Sequence, residues 1–298
     1  MTRIDKLVVV GVGLIGGSFA LAMKRSGGAA RVVGVGRSRS NLDAARRLGL
    51  VDQAFTLEEG WAAEVNDADL VLVATPVGQM LSVFAAIAPR LGRETVVTDT
   101  GSTKQDVVAA ARAHLGAALP RFVPGHPIAG TEHSGAAAAF DALFRDKLVV
   151  LTPLPETDAT ALSRVTECWR HSGAAVRTLE AARHDEILSM VSHVPHALAF
   201  ALIAELAARP DAEECFELAG TGLRDFTRLA SSHPGMWRDI CLANRDAVRR
   251  DLAAYRDGLE RIDALLEARD GDALLALFAR AHAARDAWVA RQSGGDEV

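Results

Sequence analysis

Over the first half of the chain, short runs of apolar residues alternate with stretches of helical periodicity. Residues 7–10, 31–35, 70–74 and 96–99 are Val- and Leu-rich runs of strand length, and residues 18–25 and 41–48 between them carry Ala, Leu and Arg at helical spacing. Continuous apolar runs are what a parallel sheet covered on both faces requires. Strands separated by helical patterns predict βαβ units. Residues 121–123, 148–152 and 174–178 have the same character and are expected to extend the same sheet.

Beyond Glu180 the strand pattern ends. Residues 184–208 predict one long helix with Ile187, Met190, Val191, Val194, Leu198, Ala201 and Leu202 on its apolar side. Residues 234–266 and 272–288 predict further helices, with Leu252, Tyr255, Leu259, Ile262 and Leu266 at helical spacing. These apolar faces have little sheet to cover. Burying them calls for a second copy of the chain, so a homodimer is expected.

Composition narrows the picture without changing it. The chain has 298 residues, 49% of them hydrophobic and 24% charged, as in ordinary globular proteins with room for two domains. The net charge of −5 is spread along the chain, which argues against a nucleic-acid footprint. An acidic substrate would have to be met by a local cluster of Arg and His. Cys168, Cys215 and Cys241 are odd in number and lack CxxC spacing, so neither a disulfide framework nor a metal site is expected. The N-terminal residues lack the apolar core of a leader, and no stretch reads as long enough to span a bilayer. A cytoplasmic protein without a membrane partner is the expectation.

The first chemical signal follows the first strand at once. Gly11-Val12-Gly13-Leu14-Ile15-Gly16 is G-x-G-x-x-G between a strand and a helix, the context in which it binds a dinucleotide pyrophosphate. Gly11 permits the turn, Gly13 lets backbone approach the phosphates, and Gly16 lets the helix pack on the strand. Leu14 and Ile15 open that helix, whose free N–H groups point at the anion. An Asp or Glu ending the second strand would hold the ribose of NAD. Here Gly36 is followed by Arg37, Ser38, Arg39 and Ser40, which suits the 2′-phosphate of NADP; NADP is placed ahead of NAD, and both stay open. Thr75 and Pro76 end the third strand along the cofactor. The expected architecture is α/β: a Rossmann dinucleotide-binding domain with a mostly parallel sheet over residues 1–180, then an all-α C-terminal domain over residues 181–298 for dimerisation and substrate binding.

Ligands in such sheets sit at the carboxyl ends of the strands. That places Ser102, in Asp99-Thr100-Gly101-Ser102-Thr103-Lys104, against substrate or nicotinamide. His126 follows in Pro124-Gly125-His126-Pro127-Ile128-Ala129-Gly130-Thr131-Glu132, framed by prolines and glycines in what reads as a rigid loop. Together with Ser192-His193-Val194-Pro195-His196 and residues 220–228, these segments resemble the prephenate/arogenate dehydrogenase family of tyrosine biosynthesis, in order and spacing along nearly the whole chain.

The resemblance implies an NAD(P)-dependent oxidative decarboxylation of prephenate or arogenate, with tyrosine as an inhibitor. It implies that His126 bonds the C4 hydroxyl and that Ser102 bonds both His126 and that hydroxyl. It implies substrate contacts from His196, from Arg228 to a carboxylate and from Trp237 at the edge of the site. It also implies an ionic network of Glu132, Asp185 and Asp225 around Arg228, with Asp185 from the partner subunit. His193 is expected to pack a helix, and Arg224 to be a surface or network charge. Thr221 stands where the family often carries glycine, next to the expected pocket. A dehydrogenase of the 6-phosphogluconate or 3-hydroxyisobutyrate type would need a catalytic Lys after Glu180, and none is present.

Overall fold

The computed structural model describes residues 4–131 and 133–293. Six parallel strands, β1 (Ile4–Val10), β2 (Ala29–Gly36), β3 (Gln53–Thr56), β4 (Leu70–Val73), β5 (Val96–Asp99) and β6 (Phe122–Val123), form one sheet in the order β3-β2-β1-β4-β5-β6. The order reverses between β1 and β4, so a crevice opens beyond their carboxyl ends, where such sheets bind ligands. In register, Val10 pairs with both Val35 and Val73, and Val73 pairs with Asp99. The loops that follow β1, β2, β4 and β5 therefore emerge side by side.

The two faces of the sheet carry separate cores. Leu7, Val9, Val32, Leu70 and Leu72 pack on one face with Phe19, Phe144 and Trp169, and Val8, Val10, Val33, Val35, Val71 and Val73 pack on the other with Phe84 and Phe122. Successive residues of each strand thus enter opposite cores, which is why the runs are uninterrupted by polar residues. Each such buried side chain is worth about 1.5–3 kcal/mol relative to exposure.

Three departures from the sequence expectations have local causes. Residues 148–152 and 174–178 do not extend the first sheet. Their strands, β8 (Leu148–Leu151) and β9 (Ala175–Thr178), join β7 (Gly125–Pro127) in a second sheet of order β7-β8-β9. His126 accordingly lies on an antiparallel edge strand, paired with Val150, rather than in a loop. Pro127 has no N–H to give a ladder, and an edge is where a strand tolerates that.

The expected helix over residues 184–208 is interrupted. Ala181–Leu188 passes through a π turn, Ser189–His193, into Val194–Ala207. Pro195 stands at the start of the last segment. It cannot donate to the carbonyl four residues back and its ring crowds that turn, so the winding loosens there. Residues 234–266 likewise divide, into Pro234–Ala243 and Arg245–Glu267, at Asn244.

Against the expectation that no stretch could span a bilayer, Ala181–Ala207 is long and apolar enough by length and composition, with a mean hydropathy of 1.7. Its buried His184, Asp185 and His193 are bonded to one another or to residues packed against this helix, as described below, which accounts for its place in the fold.

One compact unit extends to Val248, and a second comprises residues from Arg249 onward. The second unit is helical and leaves Leu259, Leu266, Leu275, Phe278 and Trp288 about half or more exposed.

Candidate active site

The glycine loop has the geometry of a pyrophosphate cradle. Gly11 has φ +101°, and a Cβ there would lie 2.4 Å from the Ala74 carbonyl oxygen. A Cβ on Gly16 would stand 2.2 Å from the Gly11 carbonyl oxygen, while the space beside Gly13 is open. The helix Leu14–Arg25 begins without a side-chain cap and without an acid in its first turn, so its N–H groups are free for an anion. Thr75 adds a buried hydroxyl, unpartnered among the described residues, at the end of β4 beside the exposed Pro76. These residues fit a dinucleotide.

At the end of β2 the polar residues do not act alike. Arg39 pairs with Glu59. Ser38 Oγ caps the helix Arg39–Arg47 by accepting from Asn41 N at 3.3 Å, and it lies 2.9 Å from Ser40 Oγ. Arg37 is exposed and has no ion pair among the described residues.

The loop after β5 is bound to the His126 strand by a buried ion pair. Lys104 Nζ pairs with Asp99 and donates to Gly125 O at 2.6 Å. Asp99 also accepts from Gly101 N and Gly125 N. A charge taken out of water costs several kcal/mol, so breaking such a pair from one side is expensive. The site holds its two key loops together with it.

His126 Nδ1 lies 2.9 Å from His184 Nε2, and His184 Nδ1 lies 2.8 Å from Asp185 Oδ1. Asp185 also accepts from Lys104 N at 2.8 Å and Gln105 N at 2.9 Å, capping the helix Gln105–His114 from a distant part of the chain. Burial raises the Asp185 pKa, but the bonds from His184, Gln105 N and Lys104 N outweigh it and hold the carboxyl below its usual range. A carboxylate only accepts, so His184 carries a proton on Nδ1. With His184 neutral, its Nε2 accepts from His126 Nδ1, which leaves His126 Nε2 as a bare acceptor. The order of hydrogen bonds selects the tautomer.

This differs from two expectations. Asp185 is engaged within its own chain and 2% exposed, as the end of this relay rather than beside its own chain's Arg228. Ser102 Oγ makes no hydrogen bond among the described residues, so the orientation of His126 rests on His184 instead. Glu132 lies outside the described residues. His184 has no signal in the sequence, because a His before an Asp on an amphipathic helix carries no motif.

His196 stacks on Trp237 with ring centroids 3.5 Å apart, and its Nδ1 donates to Ser192 O at 2.9 Å, leaving Nε2 for a ligand. Trp237 is buried, with no partner for Nε1 among the described residues. Arg228 is exposed, lies within electrostatic reach of His196, and makes no ion pair among the described residues; Arg224, Asp225 and Thr221 are exposed as well. The structure thus brings His126, His193, His196 and Arg228 into succession, each an electrostatic neighbour of the next.

Burial is the main force on the three site histidines. It lowers His126 well below 6.5, with the Lys104 ammonium, and the His184 and His193 rings whenever they are protonated, pushing the same way; it lowers His193 to about 4; and it lowers His196, with Arg228 adding to the effect. A proton acceptor works in its neutral form, and a depressed pKa keeps it neutral down to lower pH. The acid limb of kcat/KM, which reports the free enzyme, is therefore expected below 6.5, with no fall on descending through neutrality. A limb centred at or above 6.5 would show that His126 is not the acceptor.

Comparison with known proteins agrees with this geometry. Residues 19–178 match the family model described as prephenate dehydrogenase, nucleotide-binding domain, and residues 180–280 match prephenate dehydrogenase, dimerization domain. The chain is 35% identical over 295 residues to prephenate dehydrogenase of Bacillus subtilis (strain 168), covering 97% of this chain and 78% of that protein. It is 34% identical to cyclohexadienyl dehydrogenase of Zymomonas mobilis, covering 96% of each. Among solved structures, prephenate dehydrogenase from A. aeolicus in complex with hydroxyphenyl propionate and NAD+ superposes with a TM-score of 0.88 at 34% identity, covering 95% of this chain and 98% of that one. Synechocystis arogenate dehydrogenase gives a TM-score of 0.79 at 28% identity, over 95% and 99% of the two chains. With both halves matched and the relatives aligned along almost its full length, this chain belongs to the prephenate dehydrogenase family.

Proposed function

We propose that the protein oxidatively decarboxylates prephenate, and arogenate as a second substrate, giving 4-hydroxyphenylpyruvate or tyrosine as a cytoplasmic homodimer. The observation that carries this reading is the buried relay Asp185–His184–His126, which engages His126 Nδ1 and leaves its Nε2, beside the cofactor crevice, without a partner among the described residues. When bound, the nicotinamide supplies the acceptor for the hydride leaving C4. His126 Nε2 takes the hydrogen bond of the C4 hydroxyl as that oxygen gains carbonyl character, and Ser102 is assigned to orient the same hydroxyl. Loss of CO2 from C1 and aromatisation provide the driving force, so the protein chiefly orients the substrate and accepts one hydrogen bond. Initial rates with prephenate and arogenate, each with NAD and NADP, test the reading; no turnover in any of the four combinations would overturn it.

His196 and Arg228 supply the substrate contacts in this proposal, with Trp237 fixing the ring of His196. Arg228 binds a carboxylate that substrate and transition state share, so its loss removes uniform binding. Arg228→Ala is expected to raise KM for prephenate by about tenfold or more, roughly the 1.5–3 kcal/mol of a charge-assisted bond, with a smaller change in kcat. An unchanged KM would assign the carboxylate to another cation. Thr221, at the start of the helix Thr221–Thr227, is proposed to border the same region, with tyrosine competing there.

For the cofactor, Arg37 favours NADP: among the described residues it is the arginine at the end of β2 with no carboxylate partner, whereas Arg39 is neutralised by Glu59. NADP is expected to be used at least as efficiently as NAD. Arg37→Ala is expected to lower kcat/KM for NADP about tenfold or more, the worth of one charge-assisted hydrogen bond, and to leave NAD nearly unchanged. Equal loss with both cofactors, or a wild type that strongly prefers NAD, would show that this loop does not read the 2′-phosphate.

A further inference from the structure

The relay through His184 accounts for one side of the site. A second buried chain runs along the other, and none of its bonds is used by the reaction as described above. Asn244, 4% exposed, sits at the break between the helices Pro234–Ala243 and Arg245–Glu267. Its Nδ2 donates to the Asp185 carbonyl oxygen at 2.7 Å and lies 3.1 Å from His193 Nδ1. A carbonyl only accepts, so the first bond fixes which end of the amide is nitrogen. The second hydrogen of that nitrogen then points to His193 Nδ1, which must be an acceptor. His193 therefore carries its proton on Nε2.

That Nε2–H is a buried donor on a side chain 1% exposed, with no hydrogen-bond partner among the described residues. An unpaired buried donor costs on the order of 1–3 kcal/mol and calls for an explanation. The polar group beside it is the backbone of Ser102, near enough to bias the ring's affinity for a proton but short of a hydrogen bond. His193 also closes the π turn that Pro195 enforces, so its ring is set by backbone winding as well as by Asn244. Hydrogen bonds in ligand-free sites are often long and tighten only in the reactive complex.

We infer that Asn244 and His193 are positioning residues: the amide fixes the Nε2–H tautomer of His193, and that donor secures the Ser102 backbone when the substrate is bound. The inference rests on the proposed role of Ser102 at the C4 hydroxyl. Because Asn244 also holds the Asp185 carbonyl, one side chain anchors both buried chains, and the acceptor and the orienting hydroxyl are registered to a common point.

The test is a set of double-variant comparisons on the full-length enzyme with prephenate and its preferred cofactor. Asn244→Leu and His193→Asn are each expected to lower kcat about tenfold, the scale of a small misplacement in an active site, with KM nearly unchanged. His193→Gln keeps a donor at the Nε2 position and is expected to recover most of the loss; thermal melts of the purified variants show that each is folded. On a Ser102→Ala background His193→Asn is expected to cost almost nothing more, since residues acting through one group are non-additive, whereas Asn244→Leu keeps the part of its loss that runs through the Asp185 carbonyl. If the His193→Asn loss multiplies in full on that background, or if His193→Gln is as poor as His193→Asn, the positioning role is overturned while Ser102 keeps its own. If Ser102→Ala alone matches wild type, the proposed role of Ser102 falls, and this inference with it.

Discussion

Asparagine in place of His126 is expected to lower kcat by about 10²–10⁴, the contribution of a positioned acid–base group, while the Kd for the cofactor stays close to that of wild type. The asparagine amide can take the bond to His184 in place of Nδ1, so the strand β7 and its ladder to Val150 survive. What it lacks is a basic nitrogen at the position of Nε2. The loss should be expressed in single-turnover hydride transfer, read as nicotinamide absorbance, and not in substrate binding alone. An asparagine variant that retains near wild-type turnover would remove His126 from the chemistry.

The second large effect is expected one step behind it. Asp185→Asn keeps the size of the side chain but cannot accept on both sides. Lys104 N and His184 Nδ1 converge on Oδ1, and Gln105 N approaches Oδ2. Whichever way the amide turns, an NH2 meets a donor. His184 then either loses its partner or moves its proton to Nε2, and in the second case His126 Nδ1 can no longer donate to it. Replacing the corresponding acid in a Ser–His–Asp triad lowers kcat by about 10⁴ through the same wrong-tautomer effect. Here a loss of about 10²–10³ is expected, because no nucleophile must be deprotonated.

Stability should fall as well, by about 0.5–2 kcal/mol for the lost helix cap alone. Its pH dependence is specific. The Asp185 carboxyl is held below its ordinary value of 3.8, so it stabilises the fold fully above that value, and the stabilisation is lost as pH falls through the folded-state pKa. The difference in Tm between wild type and Asp185→Asn should therefore be largest near neutrality and shrink in acid. An Asp185→Asn enzyme with unchanged kcat would reduce the relay to a structural cap.

Much of this protein is legible in the order of its residues. The glycine loop declares itself because a pyrophosphate can be approached only by backbone without a Cβ, and that need confines residue type at fixed local spacing. The core strands are legible because burial on both faces forbids polar residues along the run. His126 stands out through its Gly and Pro neighbours, and family resemblance carries its role. These signals are all local: they are decided within a turn or a strand.

The tertiary structure decides what depends on contacts between distant segments. Nothing in residues 148–152 distinguishes a strand of the large sheet from one pairing with Gly125–Pro127, since both environments ask for buried aliphatic side chains. Family resemblance assigns Asp185 to an ionic network, and only the fold reveals that it caps a helix 80 residues away in sequence and bonds His184. His193 reads as a packing residue, yet its Nδ1 is held by a residue 51 positions on. A hydrogen bond has no periodicity in sequence. Which nitrogen of His126 is engaged and which is left for a ligand is therefore decided only when Asp185, His184 and the start of the helix Gln105–His114 meet in space, with a carboxylate, able only to accept, fixing the His184 ring that meets His126 Nδ1.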